Sequence, residues 1–152
     1  MDVFYYWKNL DADLRDGRVG WLKTSRTRLG EMNSRYPDDI WAFRTPPGHK
    51  GQLVLEARLR WTAAPSGAKN PEIDPAATIF YYPAKSVRFV HEPDAIDADL
   101  NALLRTAFPS AYRANFQGDN GVQALDGDTL LRLKRIAAAY PSVPFESVLP
   151  AR

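Results

Sequence analysis

The chain has 152 residues, of which 45% are hydrophobic and 25% charged, a composition typical of one globular domain with a sizeable core. The chain contains no cysteine, which excludes a disulfide, a thiolate nucleophile and a thiolate metal site. No apolar run approaches the roughly 18 residues of a membrane span, and MDVFYYWKN lacks the basic start and cleavage site of a secretory signal. We expect a single domain over residues 1–152, located in the cytoplasm and not associated with a membrane.

The formal net charge is only +2, but the charge is unevenly distributed along the chain. Residues 15–35 carry two acids, Asp16 and Glu31, and six cations: Arg15, Arg18, Lys23, Arg26, Arg28 and Arg35. Such a segment indicates either a phosphate-binding patch or an ordinary solvated helix face. The excess of arginine over lysine favours phosphate, because a guanidinium can bind it with two parallel hydrogen bonds.

The first half of the chain alternates strand and helix signals. Residues 3–9 (VFYYWKN) are predicted as a strand, LDADLRDG as a short helix and RVGW as a short extended piece. SRTRLGEM is predicted as a helix opened by Thr24 or Ser25, followed by the strand DIWAFRT. QLVLEARLRW is predicted as a long strand, since its apolar residues alternate with polar or charged ones: Leu53, Leu55, Ala57 and Leu59.

The second half is predicted to be richer in helix. Residues 62–77 form the longest loop, and residues 78–90 a strand in which Pro83 marks a break or an edge. Residues 97–108 have the apolar spacing of an amphipathic helix. A polar connection with a short strand then leads to a last helix at 126–140, capped by Asp126 or Asp128. This order indicates an α+β fold with a strongly bent or barrel-like sheet.

No catalytic constellation stands out in the sequence. His49 and His91 are far apart and have no acids at ligand spacing, so a zinc or two-metal nuclease site is not expected. There is no nucleophile-elbow, P-loop or dinucleotide-binding motif, and the clustered aspartates fit turns and helix caps. The residue chemistry argues against hydrolysis without deciding the question, and it predicts no cofactor.

Three tryptophans lie where predicted strands meet loops: Trp7, Trp21 and Trp61. Each one alone is readily explained as a core residue. Beside a basic segment, however, they also suit nucleic-acid binding, in which bases stack on aromatic faces while arginine and lysine contact phosphates. The residue types that could contact a base edge are Asn9, Thr24, Ser25 and Gln117.

The order of motifs resembles the PUA-like superfamily and, within it, the EVE and YTH domains. The resemblance rests on four segments: FYYWKN, GRVGWLKTSRTRL, DDIWAFRTPPGHKGQLVLEARLRW and NFQGDNGVQALDGDTLLRL. They are similar to the first strand, the tryptophan step, the central hairpin and the C-terminal strand–helix pattern of those families. The resemblance implies a PUA-like bent β-barrel of about five to six strands with flanking α-helices.

These families bind a modified or flipped nucleobase in an aromatic cage without catalysis. The resemblance implies a base-binding pocket formed by Lys8, Asn9, Trp21, Leu22, Lys23, Thr24, Trp61 and Gln117. Trp21 would form one wall, and the second wall would be Trp61, Trp41 or Tyr82. The basic segment would supply phosphate contacts from Arg18, Arg26 and Arg28. Asn9 stands where serine is usual and Leu22 replaces a small polar residue, so the base preference does not carry over.

The leading hypothesis is therefore a monomeric, non-catalytic reader of DNA, or else RNA, that carries a modified base. It would serve as the recognition component of a bacterial defence system whose nuclease is a separate chain. The runner-up is an enzyme similar to ASCH domains, an amidohydrolase or ribonuclease. Their Gly-x-Lys-x-x-Glu-x-Arg signature is approached by Gly48-His49-Lys50 and Glu56-Ala57-Arg58, with a lysine–glutamate spacing three residues too long. A third hypothesis is a protein-interaction module in which the tryptophans are all core.

Overall fold

The computed structural model describes residues 1–64, 71, 73–92 and 95–149. The strands are β1 (Asp2–Tyr6), β2 (Trp21–Lys23), β3 (Asp39–Arg44), β4 (Val54–Thr62), β5 (Thr78–Phe89), β6 (Val122–Leu125) and β7 (Ser142–Pro144). The helices are α1 (Leu10–Arg15), α2 (Arg26–Asn33), α3 (Ala98–Ala107), α4 (Pro109–Arg113) and α5 (Gly127–Ala138). Short 3-10 turns occur at Pro75–Ala77, Gly118–Gly121 and Phe145–Val148.

All the described strands belong to one curled sheet with the order β2-β5-β4-β3-β1-β6. β1 and β3 are parallel, and the other pairs are antiparallel. On the edge that faces away from β4, the long strand β5 pairs with β2 near its start and with β7 near its end. The α+β class is confirmed, with the sheet curled into a half-barrel.

Both faces of the sheet are covered, which explains the continuous hydrophobic run of β1. Val3 and Tyr5 pack into a cluster with Trp7, α1 and α2, whereas Phe4 packs into a second cluster with α3, α4 and α5. A strand covered on both sides needs apolar residues at every position rather than alternation. The first cluster lies on the face that carries the candidate site.

The predicted elements are largely present, with shifted ends. The first strand ends at Tyr6 rather than at residue 9, because Asn9 already stands at the N-cap of α1. Ser25, not Thr24, caps α2, since its Oγ accepts a hydrogen bond from the amide of Arg28 (3.1 Å). The long loop begins after Thr62 and includes a 3-10 turn, while residues 65–70 and 72 lie outside the described residues. The sequence interpretation missed α4 and β7.

The sequence predicted a break or an edge at Pro83. Pro83 lies inside β5 and does not end it. The pairing of β4 with β5 jumps from Arg58–Val87 to Arg60–Tyr82, so residues 83–86 bulge out of the ladder. Ser86 Oγ accepts from the amide of Arg60 (3.0 Å) and donates to the carbonyl of Tyr82 (2.6 Å). Because proline has no amide hydrogen to lose, a bulge accommodates it within a strand and adds to the curl of the sheet.

Among the described residues, no helix is long and apolar enough to cross a membrane.

Candidate nucleic-acid interface

A small cavity of about 190 Å³ opens beside Trp21. It lies between the end of β1, the first turns of α1 and strand β2. Its walls are Tyr5, Tyr6, Trp7, Lys8, Asn9, Ala12, Asp13, Arg18, Trp21 and Lys23. Four of the predicted base-pocket residues, Lys8, Asn9, Trp21 and Lys23, therefore line one cavity. We refer to it as the small cavity.

Trp21 is half-buried at the start of β2, where it pairs with Phe80 of β5. Gly20, directly before it, has a φ of 95° and accepts a hydrogen bond from the amide of Tyr81 (3.0 Å). Only glycine adopts this backbone conformation without strain. The Gly-Trp step thus anchors the indole at the sheet edge, with part of its surface exposed.

A hydrogen bond between Trp7, which follows β1, and Asp13 of α1 fixes the floor of the small cavity. The indole Nε1 of Trp7, which is 1% exposed, donates to Oδ2 of Asp13 at 2.8 Å. Oδ1 of the same carboxylate lies 3.6 Å from Nε of Arg18. Asp13 is the one acid in the wall of the small cavity, so it supplies hydrogen-bond acceptors among several donors.

A second, large cavity of about 400 Å³ adjoins the small one. The two share Tyr5, Tyr6, Lys8 and Lys23. The remaining wall of the large cavity consists of Thr24, Ser25, Phe116, Gln117, Gly118, Asp119, Gly121 and Val122. The hydroxyl of Tyr5 donates to the carbonyl of Lys23 (2.6 Å), which holds β1 and β2 together at the shared wall.

The predicted pocket residues are thus divided between two cavities, and two of them lie in neither wall. Lys8, Lys23, Thr24 and Gln117 line the large cavity. Leu22 is 1% exposed and packs in the core, so of the backbone or side-chain contacts expected of it only a backbone contact suits this position. Trp61 is half-buried on β4, packed against the core, and is absent from both walls.

The two other candidates for the second aromatic wall are also elsewhere. Trp41 is buried and donates through Nε1 to Oδ2 of Asp2 (2.8 Å). Tyr82 is exposed on β5, with the ammonium of Lys85 5.1 Å from its ring centroid. The aromatic residue that shares the small cavity with Trp21 and is itself half-buried is Tyr6.

The sequence interpretation missed Tyr6 and Asp13. The adjacent Tyr5 and Tyr6 looked like ordinary strand residues, and Asp13 like a residue of a short helix. Strand alternation could not have singled out Tyr6, because it places Tyr6 on the opposite face from Tyr5 and Trp7, against the second cluster. Nothing in the sequence pairs Asp13 with Trp7, which depends on how α1 folds back.

The three predicted phosphate-binding arginines have acidic partners. Arg18 contacts Asp16 (3.2 Å), Arg26 contacts Asp74 (2.9 Å), and Arg28 contacts Glu31 (3.1 Å). Arg28 Nε also donates to the carbonyl of Asp119 (3.0 Å). Arg18 lines the small cavity, whereas Arg26 and Arg28 line neither cavity.

Two tyrosines beneath the site resist ionisation. Burial, reinforced by the charge of Asp13, raises the pKa of Tyr5 far above its ordinary value. Burial raises the pKa of Tyr81 to about 12. Both phenols therefore remain neutral at physiological pH and act as hydrogen-bonding or packing groups.

The residues of the ASCH-like alternative occupy a different part of the sheet. Glu56 is 2% exposed and accepts hydrogen bonds from Arg44 Nε (2.8 Å) and Arg88 Nη2 (3.1 Å). Lys50 is exposed in the turn between β3 and β4. In the described part of the chain, no three His, Cys, Asp or Glu residues are placed to hold a metal ion.

A further cavity, of about 450 Å³, lies away from this site, next to α3 and the end of β5. Its wall is formed mainly by aliphatic side chains such as Leu53, Leu55 and Leu100, with Asp97 and Tyr140 as a hydrogen-bonded pair. Its wall has aromatic rings in His91 and Tyr140 but no tryptophan, lysine or arginine, so it has no lysine or arginine to contact a phosphate.

Comparison with known proteins gives no assignment: no family model, curated protein or solved structure matches this chain.

Proposed function

We propose that this protein is a non-catalytic nucleic-acid-binding domain that holds one nucleobase, modified or flipped out of its stack, in the small cavity. The observation that carries the proposal is a cavity of about 190 Å³ beside Trp21, lined by aromatic rings and by charged and amide groups. The same site would be the PUA-like, EVE-like base pocket that the sequence resembles.

The size of the cavity favours a single small ring system. Pockets for drug-sized ligands measure about 300–1,000 Å³, so this cavity is small by comparison. Trp21 and Tyr6 are its half-buried aromatic residues, and because the ring of Tyr6 already stacks on Phe116, Trp21 is the proposed stacking platform for a flat base. Stacking of a base on such a ring contributes about 1–3 kcal/mol.

The polar groups of the cavity suit the edge of a base. The amide of Asn9 provides both a donor and an acceptor, and the carboxylate of Asp13 accepts. A base extruded from its stack is recognised by hydrogen bonds to its edge and by stacking between side chains. We propose DNA ahead of RNA as the target, with a separate nuclease chain as the partner in a bacterial defence system.

Binding measurements on short single-stranded oligonucleotides test the proposal. The panel has one central base, which is cytosine, 5-methylcytosine, 5-hydroxymethylcytosine, adenine or N6-methyladenine, in DNA and RNA forms. We expect the wild-type protein to prefer a modified over a plain oligonucleotide. Trp21→Ala should remove that preference and lower affinity by about 5- to 150-fold, as the loss of one stacked base implies.

Trp61→Ala is the matched control, since Trp61 is also half-buried and lies in neither cavity wall. It should retain the preference, with circular dichroism confirming that both variants are folded. If Trp21→Ala binds the panel as the wild type does, or if no oligonucleotide binds, the proposal is wrong.

A further inference from the structure

We infer that the large cavity binds the phosphodiester backbone next to the base held in the small cavity. The protein would thus contact two consecutive nucleotides of a single strand. This inference rests on the proposed function, and it identifies which cations contact phosphate. The supporting observations concern the shared wall of the cavities, the lysines in that wall and a buried hydroxyl beside it.

The two cavities are contiguous, since Tyr5, Tyr6, Lys8 and Lys23 belong to both walls. A base in the small cavity has its sugar and phosphate at the cavity mouth, because the backbone cannot follow the ring into so small a space. The backbone would leave along the surface next to the mouth, and the large cavity is a groove that adjoins this wall.

Charge favours the same path. Lys8 and Lys23 are exposed, and neither forms an ion pair with the residues that the structure describes. The arginines of the basic segment are in contact with acids, so they must exchange a carboxylate for a phosphate before they bind it. One acid, Asp119, lines the large cavity against the two lysines. A lysine that neutralises a phosphate releases the counterions condensed on the nucleic acid, which favours binding and makes it depend on salt.

The far wall of the large cavity adds neutral donors. The hydroxyl of Thr24 is buried and has no hydrogen-bond partner among the described residues. Such a group is costly to leave unsatisfied, and rotation of the Thr24 side chain toward the cavity would let a phosphate oxygen accept its hydrogen. Ser25, the N-cap of the eight-residue helix α2, lines the cavity next to it. The positive end of that helix dipole therefore lies at the edge of the groove.

Salt dependence of binding tests which cations contact phosphate. The logarithm of the binding constant for a single strand falls with the logarithm of salt concentration by about 0.7 per phosphate contact. We expect Lys8→Gln and Lys23→Gln each to reduce this slope by about 0.7, and Lys23→Arg to restore it. Lys134→Gln is the control, because Lys134 is exposed on α5, outside both cavities, and should leave the slope unchanged.

A second measurement separates this inference from the proposed function. Amide chemical shifts are recorded with 5-methyl-2′-deoxycytidine and N6-methyl-2′-deoxyadenosine, and then with the dinucleotides that join each of them to thymidine. A nucleoside should shift the amides of Asn9 and Trp21, and a dinucleotide should also shift those of Thr24, Ser25 and Gly118.

Each outcome is decisive. If the nucleoside and the dinucleotide shift the same amides near Trp21, or if the lysine variants keep the wild-type slope, the large cavity holds no phosphate and only the inference fails. If no probe shifts the amide of Trp21, the base pocket itself is wrong and the inference fails with it.

Discussion

The indole nitrogen of Trp7 and the carboxylate of Asp13 are joined by a 2.8 Å hydrogen bond that connects the residue after β1 to helix α1. Trp7 is buried, so this donor has no access to water. The bond fixes the position of α1 relative to β1, and both form walls of the small cavity. The geometry of the cavity thus depends on a contact between two residues that lie on its floor.

Asp13→Ala should destabilise the protein by about 1–3 kcal/mol, because the buried indole N–H loses its acceptor. Asp13→Asn keeps an acceptor oxygen at the same place and should cost less. Urea unfolding monitored by tryptophan fluorescence measures both changes. Equal losses in the two variants would mean that the hydrogen bond does not hold α1 in place.

Glu56 is a buried acid, held between Arg44 and Arg88. Glu56→Ala should lower the free energy of unfolding by roughly 3–5 kcal/mol, since it leaves two partly buried guanidinium groups without their common carboxylate.

The matched control is Asp128→Ala, which removes an exposed pair with Arg132 on α5. An exposed pair four residues apart on a helix contributes less than about 1 kcal/mol. Denaturant midpoints of the two variants compare them directly. A loss at Glu56 no larger than the loss at Asp128 would show that the buried cluster is not a stabilising unit.

The burial of Tyr81 predicts that the stability of the protein depends on pH in the alkaline range. Burial raises its pKa in the folded protein to about 12, above the unfolded value of about 10. The stabilising contribution of the neutral phenol is therefore complete below pH of about 10 and is lost as the pH rises through about 12. In Tyr81→Phe this loss is absent, so the stability of the variant relative to the wild type should increase over that interval.

Thermal unfolding at a series of alkaline pH values measures the difference. Tyr36→Phe is the control, because Tyr36 is exposed. If Tyr81→Phe and the wild type lose stability in parallel, the phenol of Tyr81 ionises as readily in the folded as in the unfolded chain.

Local patterns predicted the elements, whereas the contacts that build the site depend on distant parts of the chain. The alternation of Leu53, Leu55, Ala57 and Leu59 identified β4, and all four are buried. Glu56 is one of the polar positions of that alternation, yet it is buried, and Arg44 and Arg88 on neighbouring strands donate hydrogen bonds to it. The alternation of apolar and polar residues along one strand does not reveal such pairing between strands.

The residues of the candidate site were likewise predicted in part, whereas their contacts in space were not. Lys8, Asn9, Trp21 and Lys23 were predicted and line one cavity. Trp61, Trp41 and Tyr82 were the candidates for a second aromatic wall, and none of them lines the small cavity, whereas Tyr6 does. The charge count of the basic segment was correct, but it could not show that Arg26 meets Asp74, a residue 48 positions away. The sequence shows where charged residues lie along the chain, but not which charged residues pair with one another in the folded protein.

The close contact between Gly121 and Tyr6 yields the last prediction. A Cβ atom at position 121 would lie 3.0 Å from the carbonyl oxygen of Phe116 and 3.4 Å from Cβ of Tyr6. Gly121→Ala must displace one of these groups at the wall shared by the two cavities, and overpacking of this kind costs about 1–3 kcal/mol.

Gly30→Ala is the matched control, since a Cβ there meets nothing within 4 Å in helix α2. It should instead stabilise the protein by about 0.5–1 kcal/mol, because alanine favours the helix. Urea unfolding of both variants should give opposite signs, and two changes of the same sign would mean that the strand–loop contact at Gly121 is looser than its geometry indicates.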